Sequence, residues 1–60
     1  MSLDEFVAEC QKVDSRIKLQ KVYGNTAVVI GNDYVVVEGY NFPYQAHLIT
    51  NFMNEQGSFA

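Results

Sequence analysis

Apolar residues recur at steps of three and four along the start of the chain, at Leu3, Phe6, Val7, Cys10 and Val13, which gathers them on one stripe of a helix. Ser2 followed by Glu5 predicts a capping box, in which the serine hydroxyl and the glutamate carboxylate satisfy backbone amides left free by the first turn. Asp4 and Glu5 also suit the positive end of the helix dipole, and Asp14 and Ser15 are expected to end the helix. From Arg16 to Tyr23 the pattern changes to alternation, with Ile17 and Leu19 on one side and Lys18 and Gln20 on the other, as in a half-buried strand.

Two copies of one short pattern then sit head to tail, Gly24-Asn25-Thr26-Ala27-Val28-Val29-Ile30 and Gly31-Asn32-Asp33-Tyr34-Val35-Val36-Val37. Each joins a Gly-Asn turn signal to a run rich in β-branched residues, so the pair predicts two consecutive hairpins and a three-stranded antiparallel meander. After Glu38, Gly39-Tyr40-Asn41 breaks the alternation. Phe42-Pro43 predicts the start of a second helix, because proline at a first helical position loses no needed hydrogen bond, and Gly57 is placed to stop it. On a helical projection Leu48, Ile49 and Phe52 cluster with Gln45 and Gln56, whereas His47, Asn51 and Asn54 lie opposite and are expected in solvent. The reading is a single α+β domain over residues 1–60, in the order α-β-β-β-α. The hairpin echo is far too short to be a solenoid repeat.

Even-length hairpin turns fix the side-chain faces by parity, whichever of two neighbouring residues centres each turn. One face then carries Ile17, Leu19, Val28, Ile30, Val35 and Val37 and is the expected core. The other carries Lys18, Gln20, Val22, Ala27, Val29, Tyr34, Val36 and Glu38, polar at its margins and apolar across its middle. Each helix has one apolar stripe and the connections are short, so both helices are expected on the core face, leaving the second face uncovered. Such a patch suits an interaction surface, although β-branched residues also suit strands that no partner covers. Lys21 falls on the core face and is expected to snorkel past the sheet end or to sit at a bulge.

Composition narrows the possible roles. With 60 residues the chain is near the size at which one core barely offsets chain entropy, so a partner subunit or ligand would help. The content, 48% hydrophobic and 18% charged, is that of a globular chain, and no apolar run approaches membrane length. The N-terminus has neither a basic nor an apolar signal region, and the single cysteine allows no internal disulfide, so a reducing, cytoplasmic setting is expected. The net charge is −3, and the basic residues Lys12, Arg16, Lys18 and Lys21 fall in one short stretch, a balance that argues against non-specific nucleic-acid binding.

No constellation for catalysis stands out. Cys10 lies on the apolar stripe and His47 on the solvated side of its helix, so a Cys-His pair is not expected, and a lone histidine has no recognised metal-ligand spacing around it. Asp4, Glu5 and Glu9 form an acidic side of the first helix that reads as a solvated face. Gly24 and Gly31 lack the lysine and following helix of a phosphate loop. No catalytic residue, metal, cofactor or small-molecule substrate is therefore expected. Tyr40, Phe42 and Tyr44 surround a rigid proline; Phe42 reads as a staple to the core, and the two tyrosines as aromatic anchors or edge packing.

The element order resembles that of double-stranded RNA-binding domains across nearly the whole chain, which implies a nucleic-acid-binding module using Arg16, Lys18 and Lys21. Those domains hold phosphates with a lysine-rich start of the second helix, where this chain has Phe42-Pro43-Tyr44-Gln45-Ala46-His47. Size and acidity are also similar to those of small phage proteins that inhibit host nucleases or defence complexes, anti-CRISPR proteins among them. The leading expectation is a non-enzymatic binding or inhibitor protein, phage- or mobile-element-encoded and active in the host cytoplasm, that contacts a larger protein or forms a homodimer. Its expected contact residues are Val22, Val29, Tyr34 and Val36 at the centre, Lys18 and Glu38 at the rim, and Tyr40 and Tyr44 as anchors.

Overall fold

The structure, a computed structural model, describes residues 1–59. The chain forms helix α1 (Leu3–Val13), strands β1 (Lys18–Val22), β2 (Asn25–Ile30) and β3 (Asp33–Val36), and helix α2 (Phe42–Glu55). The sheet is an antiparallel meander in the order β1-β2-β3, as the repeated turn signals predict. The capping box forms as expected: Ser2 Oγ accepts from the Glu5 amide at 3.2 Å, and Glu5 Oε1 accepts from the Ser2 amide at 3.2 Å. At α2, Asn41 is the N-cap, its side chain accepting from the Tyr44 amide at 3.1 Å, with Pro43 in the first turn.

The first hairpin turn lies one residue earlier than the Gly24-Asn25 signal suggests. Val22 pairs with Asn25, so the turn residues are Tyr23 and Gly24, with φ of 52° and 82°. Two successive positive φ values make the turn that matches the right-handed twist of a two-residue hairpin. In the second hairpin Ile30 pairs with Asp33 around Gly31-Asn32, and only Gly31 needs positive φ. A shift of the turn centre by one residue changes the pairing by two, so every strand side chain keeps its expected face.

Both helices pack on the face that carries Leu19, Val28, Ile30, Val35 and Val37. Val7 and Cys10 from α1, Ile17, and Ile49, Phe52 and Met53 from α2 complete the buried cluster, with Phe6 meeting Phe42 edge to face at 5.8 Å between ring centres. Each large side chain buried here contributes about 1.5–3 kcal/mol, the term that sets against chain entropy in so small a domain. Val13 departs from the expected stripe and is half exposed. It is the last helical residue and stands about 60° round the axis from Cys10, at the stripe's margin.

Lys21 snorkels. Its neighbours in β1 and β2 keep an unbroken register, while its side chain leaves the sheet end and places Nζ 2.9 Å from Thr26 Oγ1. Asp14 ties the end of α1 to the residues after α2 in a way that no periodic pattern reveals. It caps α1, accepts from the Arg16 guanidinium at 2.6 and 3.0 Å, and accepts from Ser58 Oγ beyond α2 at 2.7 Å. These hydrogen bonds, with the Arg16 charge, hold the Asp14 carboxyl well below the usual carboxylate range.

Candidate functional site

The face of the sheet away from the helices is built by three cross-strand rows. Lys18, Val29 and Tyr34 form one; Gln20, Ala27 and Val36 form the next; Val22 and Asn25 close the first hairpin. No element of the described residues packs over this face. Ala27 is buried by its larger neighbours, Val22, Val29 and Val36 are half-buried, and Tyr34 is 46% exposed. The face is therefore an apolar strip with one charged residue, Lys18, at its edge. Its size follows from strand geometry. The six residues of β2 span ~20 Å and three strands ~14 Å, giving roughly 280 Å². That is about a third of the ~800 Å² that each partner contributes to a standard interface, so the strip can supply a contact centre but not a whole interface.

Glu38 does not join that face, although parity places it there. The amides of both Val37 and Glu38 donate to the Thr26 carbonyl, at 2.9 and 3.2 Å, so the end of β3 bulges. The Thr26 amide donates to Glu38 Oε2 at 2.8 Å, so a side-chain carboxylate stands in for the missing backbone acceptor. The Val37 carbonyl, freed from the ladder, accepts instead from Gln45 Nε2 at 3.1 Å. Lys21 Nζ lies 3.6 Å from the same Glu38 oxygen. The hydrogen bond from Thr26, then the Lys21 charge, holds the Glu38 carboxyl below its ordinary value.

Tyr40, just before α2, and Tyr44, in its first turn, lie on a different element from the strip, with their rings 4.9 Å apart between centres and tilted at 59°. His47 continues the row one turn on, 6.2 Å from Tyr44, and its Nε2 lies 3.2 Å from Asn51 Nδ2. The row is an exposed aromatic ridge on the outer side of α2. Cys10 is buried in the core, and burial pushes its thiol pKa up, with the nearby Glu9 charge adding to the effect. The basic cluster is largely neutralised: Lys12 pairs with Glu9 at 3.2 Å, Arg16 with Asp14 and Lys21 with Glu38, leaving Lys18 outside the ion pairs of the described residues.

Two surface features were not legible in the sequence pattern. Tyr23 is 92% exposed in a left-handed conformation at the hairpin tip; Gly24 as the second turn residue was the signal, and Asn25 drew the turn centre forward. A groove between β3 and α2 is lined by both Asp33 and Glu55, residues far apart in the chain that share it because of how α2 crosses the sheet. No helix among the described residues is long and apolar enough to cross a membrane. No protein-family model matches this chain, and neither the curated proteins nor the solved structures contain a significant match to it.

Proposed function

We propose that this chain is a small non-enzymatic binding protein that acts by protein–protein contact, with the uncovered sheet face at the centre of its contact surface. The supporting observation is the placement of both helices on one side of a three-stranded sheet, which leaves Val22, Val29, Tyr34 and Val36 as an apolar strip with a single charge beside it. Apolar strips rimmed by polar groups mark contact surfaces, and the small area calls for a rim drawn from neighbouring elements. An inhibitor of a larger protein, encoded by a phage or mobile element against a host or defence complex, is the form of this reading that the small size and net charge of −3 favour. A homodimer through the same face is its second form. Nucleic-acid binding is the weaker reading, because three of the four cations are already engaged by carboxylates.

Val29 lies at the centre of the strip, and Val29→Lys puts a charge there without touching the core cluster. The test compares the two proteins, both shown folded by circular dichroism, in affinity capture from source or host lysate and in sedimentation equilibrium. The expected result is a near-stoichiometric partner, or a dimer, formed by the wild type and lost in the variant. Equal capture and equal mass for the two proteins would refute the assignment to this face.

A further inference from the structure

We propose that the free edge of β3, with the groove between it and α2, is a docking site for an extended peptide segment that carries lysine or arginine. Ile30 and Asp33 close a two-residue turn and so form a hydrogen-bonded pair, and the antiparallel alternation then turns the amides and carbonyls of Tyr34 and Val36 away from β2. Among the described residues neither makes a backbone hydrogen bond outside the sheet ladder. The two edges of the sheet differ. β1 carries Lys18 and Lys21, the residue type that guards natural edges, whereas β3 reads Asp33-Tyr34-Val35-Val36 with neither lysine nor proline.

Beside this unguarded edge lies a groove of about 440 Å³, lined by Asp33 and Val35 from β3 and by Leu48, Asn51, Phe52 and Glu55 from α2. A strand added to β3 would exchange backbone hydrogen bonds with Tyr34 and Val36 and turn every second side chain into the groove. The groove offers apolar surface at Leu48 and Phe52 and two carboxylates, Asp33 and Glu55, that no cation of the described residues pairs. Side chains two apart on the incoming strand, one basic and one apolar, match that lining. A second copy of this chain matches it poorly, since pairing β3 with β3 would gather two Asp33 and two Glu55 carboxylates along one seam. Charge therefore selects a basic segment of a different protein. The edge shares Tyr34 and Val36 with the uncovered face but engages their outward backbone groups, whereas Val29 stands on the central strand, outside the groove.

The test uses the full chain and a capped peptide, Thr-Lys-Thr-Val-Thr-Lys-Thr, with a control in which glutamate replaces each lysine. Amide hydrogen exchange of the free protein should show Tyr34 and Val36 exchanging fast and Asp33 and Val35 protected. The lysine peptide should protect Tyr34 and Val36 and shift the signals of Asp33 and Glu55, and the glutamate peptide should not. Val36→Pro removes one outward amide and no bond to β2, and should weaken binding by about fivefold. Asp33→Asn with Glu55→Gln should weaken it and flatten its salt dependence, and this pair keeps the test open if the proline variant fails to fold. Val29→Lys should bind the peptide normally. Protection of Tyr34 and Val36 that grows with protein concentration, equal binding of both peptides, shifts confined to the Val29 face, or no binding at millimolar peptide would each overturn the proposal.

Discussion

Tyr23 occupies a left-handed backbone conformation, φ 52°, that a bulky L-residue adopts only at a cost, and Tyr23→Asn should therefore stabilise the fold. For an ordinary side chain the cost is about 1–2 kcal/mol, and asparagine tolerates the region because its short polar side chain bonds locally. Against this gain stands whatever the tyrosine ring contributes by burial. The ring is 92% exposed, so of ~200 Å² only ~16 Å² leaves water, worth ~0.4 kcal/mol. The balance is a gain of about 0.6–1.6 kcal/mol, or roughly 5–13 °C in melting temperature for a domain of this size. Tyr23→Gly should gain less, since glycine also loosens the unfolded chain. Urea and thermal unfolding followed by circular dichroism measure both variants. An unchanged or lower stability for Tyr23→Asn would refute the reasoning and show that the tyrosine holds the hairpin by contacts of its own. If the variant is more stable and also loses a partner, the strain is retained for recognition.

Met53 is fully buried at the centre of the cluster, and Met53→Ala should cost about 2–5 kcal/mol, comparable with the whole stability of a 60-residue domain, so the variant should be largely unfolded at 37 °C by circular dichroism. Asp14→Ala should lower the melting temperature at neutral pH, because it releases both Arg16 and Ser58. The Asp14 carboxyl sits below its unfolded value of about 3.9. Its contribution is therefore complete above that pH and is lost as pH falls through the lower folded value, so the melting curves of wild type and variant should converge in acid. Cys10 is buried and its thiol pKa is raised, so its reaction with a soluble disulfide reagent should run at the rate of unfolding and become immediate in denaturant. Rapid labelling of the folded chain would show that α1 opens locally.

The regular elements were open to reading because each rests on local chemistry. The capping box at Ser2 and Glu5, the proline-led start of α2 and the two turn signals involve residues within a few positions of one another. Parity then carried the face assignment across the meander, even though the first turn is centred on Tyr23-Gly24 instead of Gly24-Asn25. Parity failed at Glu38, where a bulge exchanges a backbone acceptor for a side-chain one. No run of alternating residues marks such an exchange, because it depends on how Thr26 and Glu38 meet across the sheet.

What the sequence alone determined is the α-β-β-β-α order, the helix starts and the division of the strands into a core face and a second apolar face, all consequences of periodicity and turn stereochemistry. What only the tertiary structure decided is which groups meet. Asp14 meets Ser58, and Asp33 and Glu55 come to line one groove, through packing. The covered face is fixed by where the two helical stripes find the most apolar area to bury, and the free edge of β3 is left by the meander ending there. Burial and edge exposure belong to the assembled fold, because each depends on every element that does or does not lie against a given residue.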